Sequence, residues 1–477
     1  MEYGGRTTSI TDSIISQDQE VPSTTIVKRV GAGLPNLLAP ERKVGKAPGS
    51  MHQLKTILFG SCLINLSFFV RFQWALEFAK PHEYTLIFVL SFLAIVPLAK
   101  LLAFATDELS IRVGERLAEL LNATLVSAAE AVLQIIALWK CELRVVQSSL
   151  VGSILSKLLL VLGLCFFVGG TRFSEQGFSL SAIQVNSSLL TLSVIGVLTP
   201  VTYHMVTGSN QISGFDSETE QRHILKLSHG IAIVLLFIYA SFLIFQLFSH
   251  KNLYDDKSSQ RLETIKYAPR TGPDNSSHFI HSYPDDDLPQ STAEEWCSVT
   301  ESDGDKEDER IPELSLPMAL ALLVLITVLV AVTAEGLVQS IEGLASGGVV
   351  SKEFIGLVLL PIVGNAAECA AAVTVSVQDK LASSLVATVG SSIQISLSVI
   401  PFINILGWII DRPITMLFDP FVAVVLFFSV LTVNYAVQDG RSNWLKGMIL
   451  ICLYVIAALM FYFYPGLRLY GLLTCPA

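Results

Sequence analysis

The chain has 477 residues, of which 52% are hydrophobic and only 15% are charged. This composition excludes a soluble globular protein of that size, and the net charge of −10 disfavours nucleic acid as a partner. Apolar stretches of about 20 residues recur along the chain without the strict alternation of barrel strands. The sequence therefore predicts an all-α polytopic membrane protein whose first partner is the lipid bilayer.

The N-terminal region, residues 1–53, is polar and rich in Ser, Thr, Gly and Pro. No apolar run follows Met1, so the region does not have the pattern of a signal peptide. It ends in a group of basic residues, which favours the cytosolic side of a membrane. We expect a disordered cytosolic tail.

Eleven transmembrane helices are predicted, which places the C-terminal tail, residues 466–477, on the luminal side. Their expected bounds are 54–74, 83–105, 117–138, 148–170, 182–205, 225–248, 315–338, 353–377, 382–409, 419–437 and 444–464.

A polar segment, residues 249–311, separates the sixth span from the seventh and carries much of the acidic charge. One interpretation is a solvated and mostly disordered cytosolic linker. The other is that its clustered carboxylates gather or sense divalent cations. No twelve-residue EF-hand spacing is present, so binding there would be weak.

Two similar stretches each place one glutamate among small residues inside an apolar span: Val126-Ser127-Ala128-Ala129-Glu130 and Gly364-Asn365-Ala366-Ala367-Glu368. A carboxylate at membrane depth is costly unless it is protonated, paired or facing water, so each indicates a functional site. The offset of 238 that relates the two glutamates also relates Val151-Gly152-Ser153 to Val389-Gly390-Ser391. Five spans separate the two motifs, which predicts an inverted repeat with a site near the membrane midplane.

The residues around the second glutamate indicate a site for a hard cation. Asn365 and Glu368 lie three residues apart on one helical face, as do Ser391 and Gln394 in the next span. Small Gly364 would allow close approach, and Pro361 would break the helix and free carbonyl ligands. Glu130 and Glu368, with hydroxyl and amide oxygens from residues such as Ser127 and Ser153, would suit Ca²⁺. Without a cation, two facing carboxylates should bind protons, which predicts cation/proton antiport and requires no cofactor.

An ordered set of four motifs makes the chain resemble the Ca²⁺/cation antiporter superfamily and, within it, the vacuolar Ca²⁺/H⁺ exchangers of the CAX family. The motifs are Gly364-Asn365-Ala366-Ala367-Glu368, Val389-Gly390-Ser391-Ser392-Ile393-Gln394-Ile395, Phe92-Leu93-Ala94-Ile95-Val96-Pro97-Leu98 and Val433-Asn434-Tyr435-Ala436-Val437-Gln438-Asp439-Gly440.

The resemblance implies a vacuolar or other acidic endomembrane location, a peripheral helix at 54–76, and two inverted five-helix repeats at 83–248 and 312–465. It implies alternating access around the two motif glutamates, with the acidic loop in the cytosol. It also implies gating or ion-access roles for four acidic residues near span ends: Asp107, Glu108, Glu335 and Glu342.

The chain departs from the family pattern at three places. Val126-Ser127 replaces Gly-Asn in the first motif, and Cys369 replaces the usual His after the second glutamate, which removes a group that titrates near neutral pH. Lys157 stands where the family has Asn, four residues after Ser153 and on its helical face. Its ammonium could occupy the place of the cation and pair with Glu130, or it could turn aside and snorkel.

Three hypotheses follow for the function. The first is a proton-coupled exchanger of Ca²⁺ or a related cation, such as Mn²⁺ or a monovalent ion. The second is an exchanger-fold protein that transports poorly and acts as a regulator or scaffold, because Lys157 fills the site. A membrane enzyme is disfavoured on the premise that none of the eight histidines lies deep in a span beside Ser or Cys. The seven cysteines, mostly in spans and without CxxC spacing, are expected to be packing residues.

Overall fold

The computed structural model describes residues 67–79, 83–112, 128–207, 217–249, 264–266, 312–346 and 350–464, with the single positions 49, 51, 53, 262 and 466. Twelve helices lie in these ranges. They are α1 (Ser67–Ala79), α2 (Tyr84–Ser110), α3 (Ala128–Trp139), α4 (Leu143–Arg172), α5 (Leu180–Thr207), α6 (Ser217–Ile244), α7 (Leu316–Ser346), α8 (Lys352–Gly364), α9 (Ala366–Val377), α10 (Leu381–Ile409), α11 (Pro420–Val437) and α12 (Trp444–Phe463).

Eight of these helices are long and apolar enough to cross a membrane, and the bent pair α8 and α9 makes a ninth crossing if it is one span. The protein is therefore a multi-pass helical membrane protein. The remaining two of the eleven expected spans coincide with the shorter helices α1 and α3, each of which borders a stretch outside the described residues. The count of eleven and the domain boundaries drawn from it stay predictions.

Helices α4 and α10 form the centre of the bundle. Buried residues make up 78% of the apolar stretch of α4 and 67% of that of α10, against 17% to 50% in the other long spans. Both contain short segments of wider π-helix, Ser156–Val161 in α4 and Ile395–Val399 in α10. Such segments are frequent at functional sites.

The backbone repeats itself at the offset of 238 found in the sequence. Helices α3 and α9 end at corresponding residues, and α4 and α10 begin at corresponding residues. The turns between them match: Cys141 (φ 62°) and Asp379 (φ 60°) both have left-handed backbone, although neither is glycine. In one turn the backbone amide of Glu142 donates to the carbonyl of Ala137. In the other turn the backbone amide of Lys380 donates to the carbonyl of Val375. These are the correspondences that two copies of one unit would give.

Close helix packing occurs at Gly152 in α4 and Gly356 in α8. Gly364 was expected to allow close approach of a neighbouring helix or an ion, and the structure shows no close helix contact there. A Cβ at Gly152 would lie 2.7 Å from both the Cα of Leu357 and the Cγ of Pro361, and it would also overlap the carbonyl oxygen of Leu357. A Cβ at Gly364 would meet nothing within 4 Å. The two backbones can cross so closely because these glycines carry no side chain.

Gly152→Ala is expected to destabilise the protein by about 1–3 kcal/mol, because the added methyl group forces two backbones apart. The matched control is Gly390→Ala at the corresponding position of α10, where a Cβ would meet only Val386 Cγ1 at 4.0 Å. Thermal unfolding of the purified proteins in detergent would measure both. Equal stabilities for the two variants would contradict the packing described.

The expectation of helices alone is wrong for one small element, a three-stranded antiparallel sheet. Strand β1 (Phe173–Gly177) pairs with β2 (Ile265–Lys266) on one side and β3 (Arg441–Ser442) on the other. Strands this short leave no alternating pattern in a sequence. Because β2 belongs to the long acidic segment, part of that segment is structured: the Thr264 hydroxyl donates to Asp379 Oδ1 (2.9 Å), just after α9.

The expectation that the cysteines only fill space is wrong for Cys141, which is disulfide-bonded. Cys165, Cys369 and Cys452 are free, so the partner of Cys141 lies outside the described residues.

Candidate ion-binding site

The motif glutamates meet at the side chain of Lys157. Glu130 lies near the start of the described part of α3, and Glu368 is the third residue of α9. Lys157 projects from the π-helical segment of α4. Its Nζ lies 2.9 Å from Glu368 Oε2 and 3.8 Å from Glu130 Oε2. The side chain therefore bridges two carboxylates that come from the two similar parts of the chain.

Lys157 neither turns aside nor snorkels, since its side chain is only 1% exposed. The flanking Leu158 and Leu159 are completely buried. The carboxylates are more accessible, at 12% for Glu130 and 24% for Glu368. With both carboxylates ionised, the three groups carry one net negative charge in an environment where charges interact more strongly than in water.

A break in the eighth span positions Glu368. Helices α8 and α9 meet at an angle of 52°, and Asn365 between them has non-helical backbone (φ −94°, ψ 0°). The expected break is present, but it falls four residues after Pro361. Glu368 consequently lies in the first turn of a helix, where unpaired amides and the helix dipole favour negative charge.

Several polar atoms at this site have no hydrogen-bond partner among the described residues. They include Glu130 Oε1 and the side-chain Nδ2 of Asn365, both buried. Ser153, in α4, hydrogen-bonds the Glu130 carboxylate. Buried polar atoms normally have hydrogen-bond partners. Unsatisfied polar atoms beside two carboxylates therefore indicate a site that can bind a further polar species.

Ser391 and Gln394, two of the other expected ligands, lie in α10. The Ser391 hydroxyl donates to the carbonyl of Ala387 in its own helix, and Gln394 is buried one turn further along α10. Cys369 is half-buried and packs against the main hydrophobic core. Ser127 lies outside the described residues. The ligand roles of Ser391, Gln394 and Ser127 and the modulating role of Cys369 stay predictions.

Within the described ranges, no three His, Cys, Asp or Glu side chains are grouped closely enough to hold a metal ion. A cation bound between Glu130 and Glu368 would thus need its remaining oxygens from amides, hydroxyls, backbone carbonyls or water. Ca²⁺ takes six to eight oxygens of these kinds.

Glu335, one of the four expected gating residues, forms an ion pair across the bundle with Lys140, 2.6 Å apart. Two more ion pairs lie in the same part of the chain, Lys352 with Glu142 and Arg144 with Glu353. All three join residues 140–144 to residues 335–353. Sequence reasoning missed these partners, because opposite charges far apart in the sequence give no signal of which ones meet.

Glu108 makes a structural contact, and its gating role stays a prediction. It is buried, and its two oxygens accept hydrogen bonds from the backbone amides of Glu313 (3.2 Å) and Leu314 (3.0 Å) just before α7. The Nη1 atom of Arg112 lies 4.0 Å from Glu108 Oε2. Asp107 and Glu342 are exposed, and their gating roles stay predictions.

Glu108→Ala is expected to destabilise the protein by about 1–3 kcal/mol, because the backbone amides of Glu313 and Leu314, the second of them buried, lose their acceptor. Asp107→Ala, one residue away and exposed, is the control and should change stability by less than about 0.5 kcal/mol. Thermal unfolding in detergent would compare them. A Glu108→Ala protein as stable as the control would argue against the anchoring contact.

The premise used against a membrane enzyme needs correction at His229, which is buried in α6 beside Ser228. Adjacent helical residues do not face each other, so the pair is not a nucleophile with its base. The Ser228 hydroxyl accepts from the amide of Met416, and the His229 ring stacks on Trp408 with centroids 4.4 Å apart.

A multi-pass helical protein that brings two carboxylates to one buried ammonium belongs to the class of ion-transporting membrane proteins. The sodium/calcium exchanger protein family matches residues 83–248 and 318–463, so the chain belongs to that family. Its relatives place it with the CAX exchangers, as the motifs indicated.

Among these relatives is a vacuolar calcium ion transporter from Cryptococcus neoformans var. grubii. It is 42% identical over 497 residues, covering 95% of this chain and 82% of the relative. A Ca²⁺/H⁺ antiporter from Synechocystis is 36% identical over 383 residues, covering 80% and 92%. The solved structure of native YfkE matches with a TM-score of 0.62 and 25% identity, covering 84% of this chain and 100% of YfkE.

Proposed function

We propose that this chain is a secondary active transporter that exchanges Ca²⁺, or a related cation, for protons across an endomembrane. Glu130 and Glu368 would bind the cation in one step and protons in the other. The observation that carries the proposal is that carboxylates from corresponding positions of two similar segments contact the same buried ammonium.

The site suits a hard cation because it offers oxygen atoms and lies between central helices. Two ionised glutamates would offset a divalent charge, and Asn365, Ser153 and freed carbonyls near the α8–α9 break could add ligands. When the cation leaves, the carboxylates would have to be compensated by other positive charge. Competition between protons and one cation for the same oxygens is the basis of antiport.

We further propose that the two halves are inverted repeats that alternate access to this site. The matched turns at Cys141 and Asp379 support two copies of one unit. An odd number of spans between the copies would reverse one relative to the other. In this arrangement, the N-terminus would be cytosolic and the C-terminus luminal.

The names of the relatives support Ca²⁺ as the transported ion and the vacuolar membrane as the location. They are described as vacuolar calcium ion transporters, Ca²⁺/H⁺ antiporters and vacuolar cation/proton exchangers. A vacuolar membrane would supply the acidic lumen that drives such exchange. A tenfold gradient is worth about 1.4 kcal/mol, so more than one proton must return per Ca²⁺ when the calcium gradient is the steeper.

The test is uptake of radioactive Ca²⁺ into vesicles that contain the purified chain and are acidic inside. Uptake should depend on the pH gradient and should stop when an ionophore collapses it. Added Mn²⁺, Na⁺ and K⁺ would show which cations compete. No uptake of any of these ions, with correctly inserted protein, would contradict the proposal and favour the regulator or scaffold hypothesis.

A further inference from the structure

We infer that Lys157 is a specificity-determining residue: its ammonium is the resident counter-cation of the site, and a transported divalent cation must displace it. This inference rests on the proposed function and defines the affinity of that same site. The residue is not a ligand, since an ammonium has no lone pair to donate. It instead competes with the cargo for the carboxylate oxygens.

The position of the ammonium carries the argument. Its Nζ contacts Oε2 of both Glu130 and Glu368, which are the oxygens that the cation would need. A doubly charged ion in the same space would lie within a few ångströms of a positive charge. The two cannot be bound together without strong repulsion.

The ammonium is held by the two carboxylates. Its closer contact, 2.9 Å from Nζ to Glu368 Oε2, is a charge-assisted contact within hydrogen-bond distance, and the 3.8 Å contact with Glu130 Oε2 is an ion pair. Its four-carbon stem has several rotatable bonds, so the ammonium can move while the backbone stays in place. Displacement by a cation therefore needs a side-chain rotation and not a rearrangement of α4.

The second similar segment has no lysine at the position that corresponds to Lys157. The residue at the corresponding position of α10 is Ile395, which is completely buried. The competition therefore arises from one residue in one half of the chain, and a single substitution should remove it.

The test compares the wild type with Lys157→Asn and Lys157→Met, which remove the charge, and with Lys157→Arg, which keeps it. Initial rates of Ca²⁺ uptake into vesicles are measured against free Ca²⁺ at a fixed pH gradient. The half-saturating concentration should fall by about tenfold or more in the Asn and Met variants, as expected for loss of a competing buried charge. It should not fall in the Arg variant.

A gain of affinity separates this role from a structural one, because a merely damaged site would bind more weakly. A second readout does not need transport: Ca²⁺ should raise the thermal unfolding temperature of Lys157→Asn at lower concentrations than it does for the wild type. If wild type is inactive and Lys157→Asn transports, the inference is supported and the proposed function fails for the natural chain.

Two results would overturn the inference. One is uptake by wild type with the same half-saturating concentration in the Asn and Met variants, in which case the proposed function stands. The other is a Lys157→Asn protein that folds but neither binds nor transports Ca²⁺.

Discussion

Glu368→Gln is expected to reduce pH-driven Ca²⁺ uptake by at least about a hundredfold. The amide keeps the size of the side chain but removes one of the two negative charges that would bind a divalent ion. Losing one partner of a buried charge interaction typically costs about 3–5 kcal/mol, and each 1.4 kcal/mol is a factor of ten. Lys157 would still pair with Glu130, so the variant should fold.

The measurement is the initial rate of uptake per correctly inserted protein, with size-exclusion chromatography as the check on folding. Glu130→Gln should give a similar loss, because both carboxylates contact the same ammonium. Glu175→Gln is the matched control, since this carboxylate is 37% exposed, pairs with Arg441 and has no expected role in ion binding or gating. Equal activity of wild type and Glu368→Gln would refute the role given to the two glutamates.

Much of the fold was predictable because membrane spans depend on length and hydropathy alone. The expected spans from the fourth onward coincide with described helices to within a few residues at most ends, apart from the longer α7 and the break in α8–α9. The similarity of the two glutamate motifs pointed to related surroundings, and the matched turns at Cys141 and Asp379 agree with it. The contact between Lys157 and Glu130 was also predictable, from the helical spacing to Ser153.

The parts that were not predictable depend on which distant residues meet. Glu108 was expected to act in gating because it is acidic and near a span end, and its hydrogen bonds to two backbone amides before α7 could not be read from the sequence. Gly364 was expected to allow close approach of a helix or an ion, yet the close helix crossings are at Gly152 and Gly356. Lys157 was expected to pair with Glu130, and its shorter contact is with Glu368. Spacing along one helix cannot reveal which neighbouring helix supplies the nearer partner.

Lys157→Met is expected to destabilise the cation-free protein by about 3–5 kcal/mol, the usual cost of removing one partner from a buried ion pair. The substitution keeps a similar apolar bulk but leaves two neighbouring carboxylates without the charge that compensates them. Thermal unfolding in detergent with a chelator would measure the loss. The loss should grow as the pH is raised, because fewer protons are then available to replace the ammonium.

The double variant Lys157→Met with Glu368→Gln supplies the decisive comparison. It restores the net charge of the wild-type site, so it should recover most of the stability that Lys157→Met loses, and the two substitutions should be far from additive. Ca²⁺ should rescue Lys157→Met but not the double variant, because only the former keeps both carboxylates. Simple additivity would mean that the ammonium and the Glu368 carboxylate act independently. The bridge between the two similar segments would then have no energetic role, and the site would have to be compensated by residues other than Lys157.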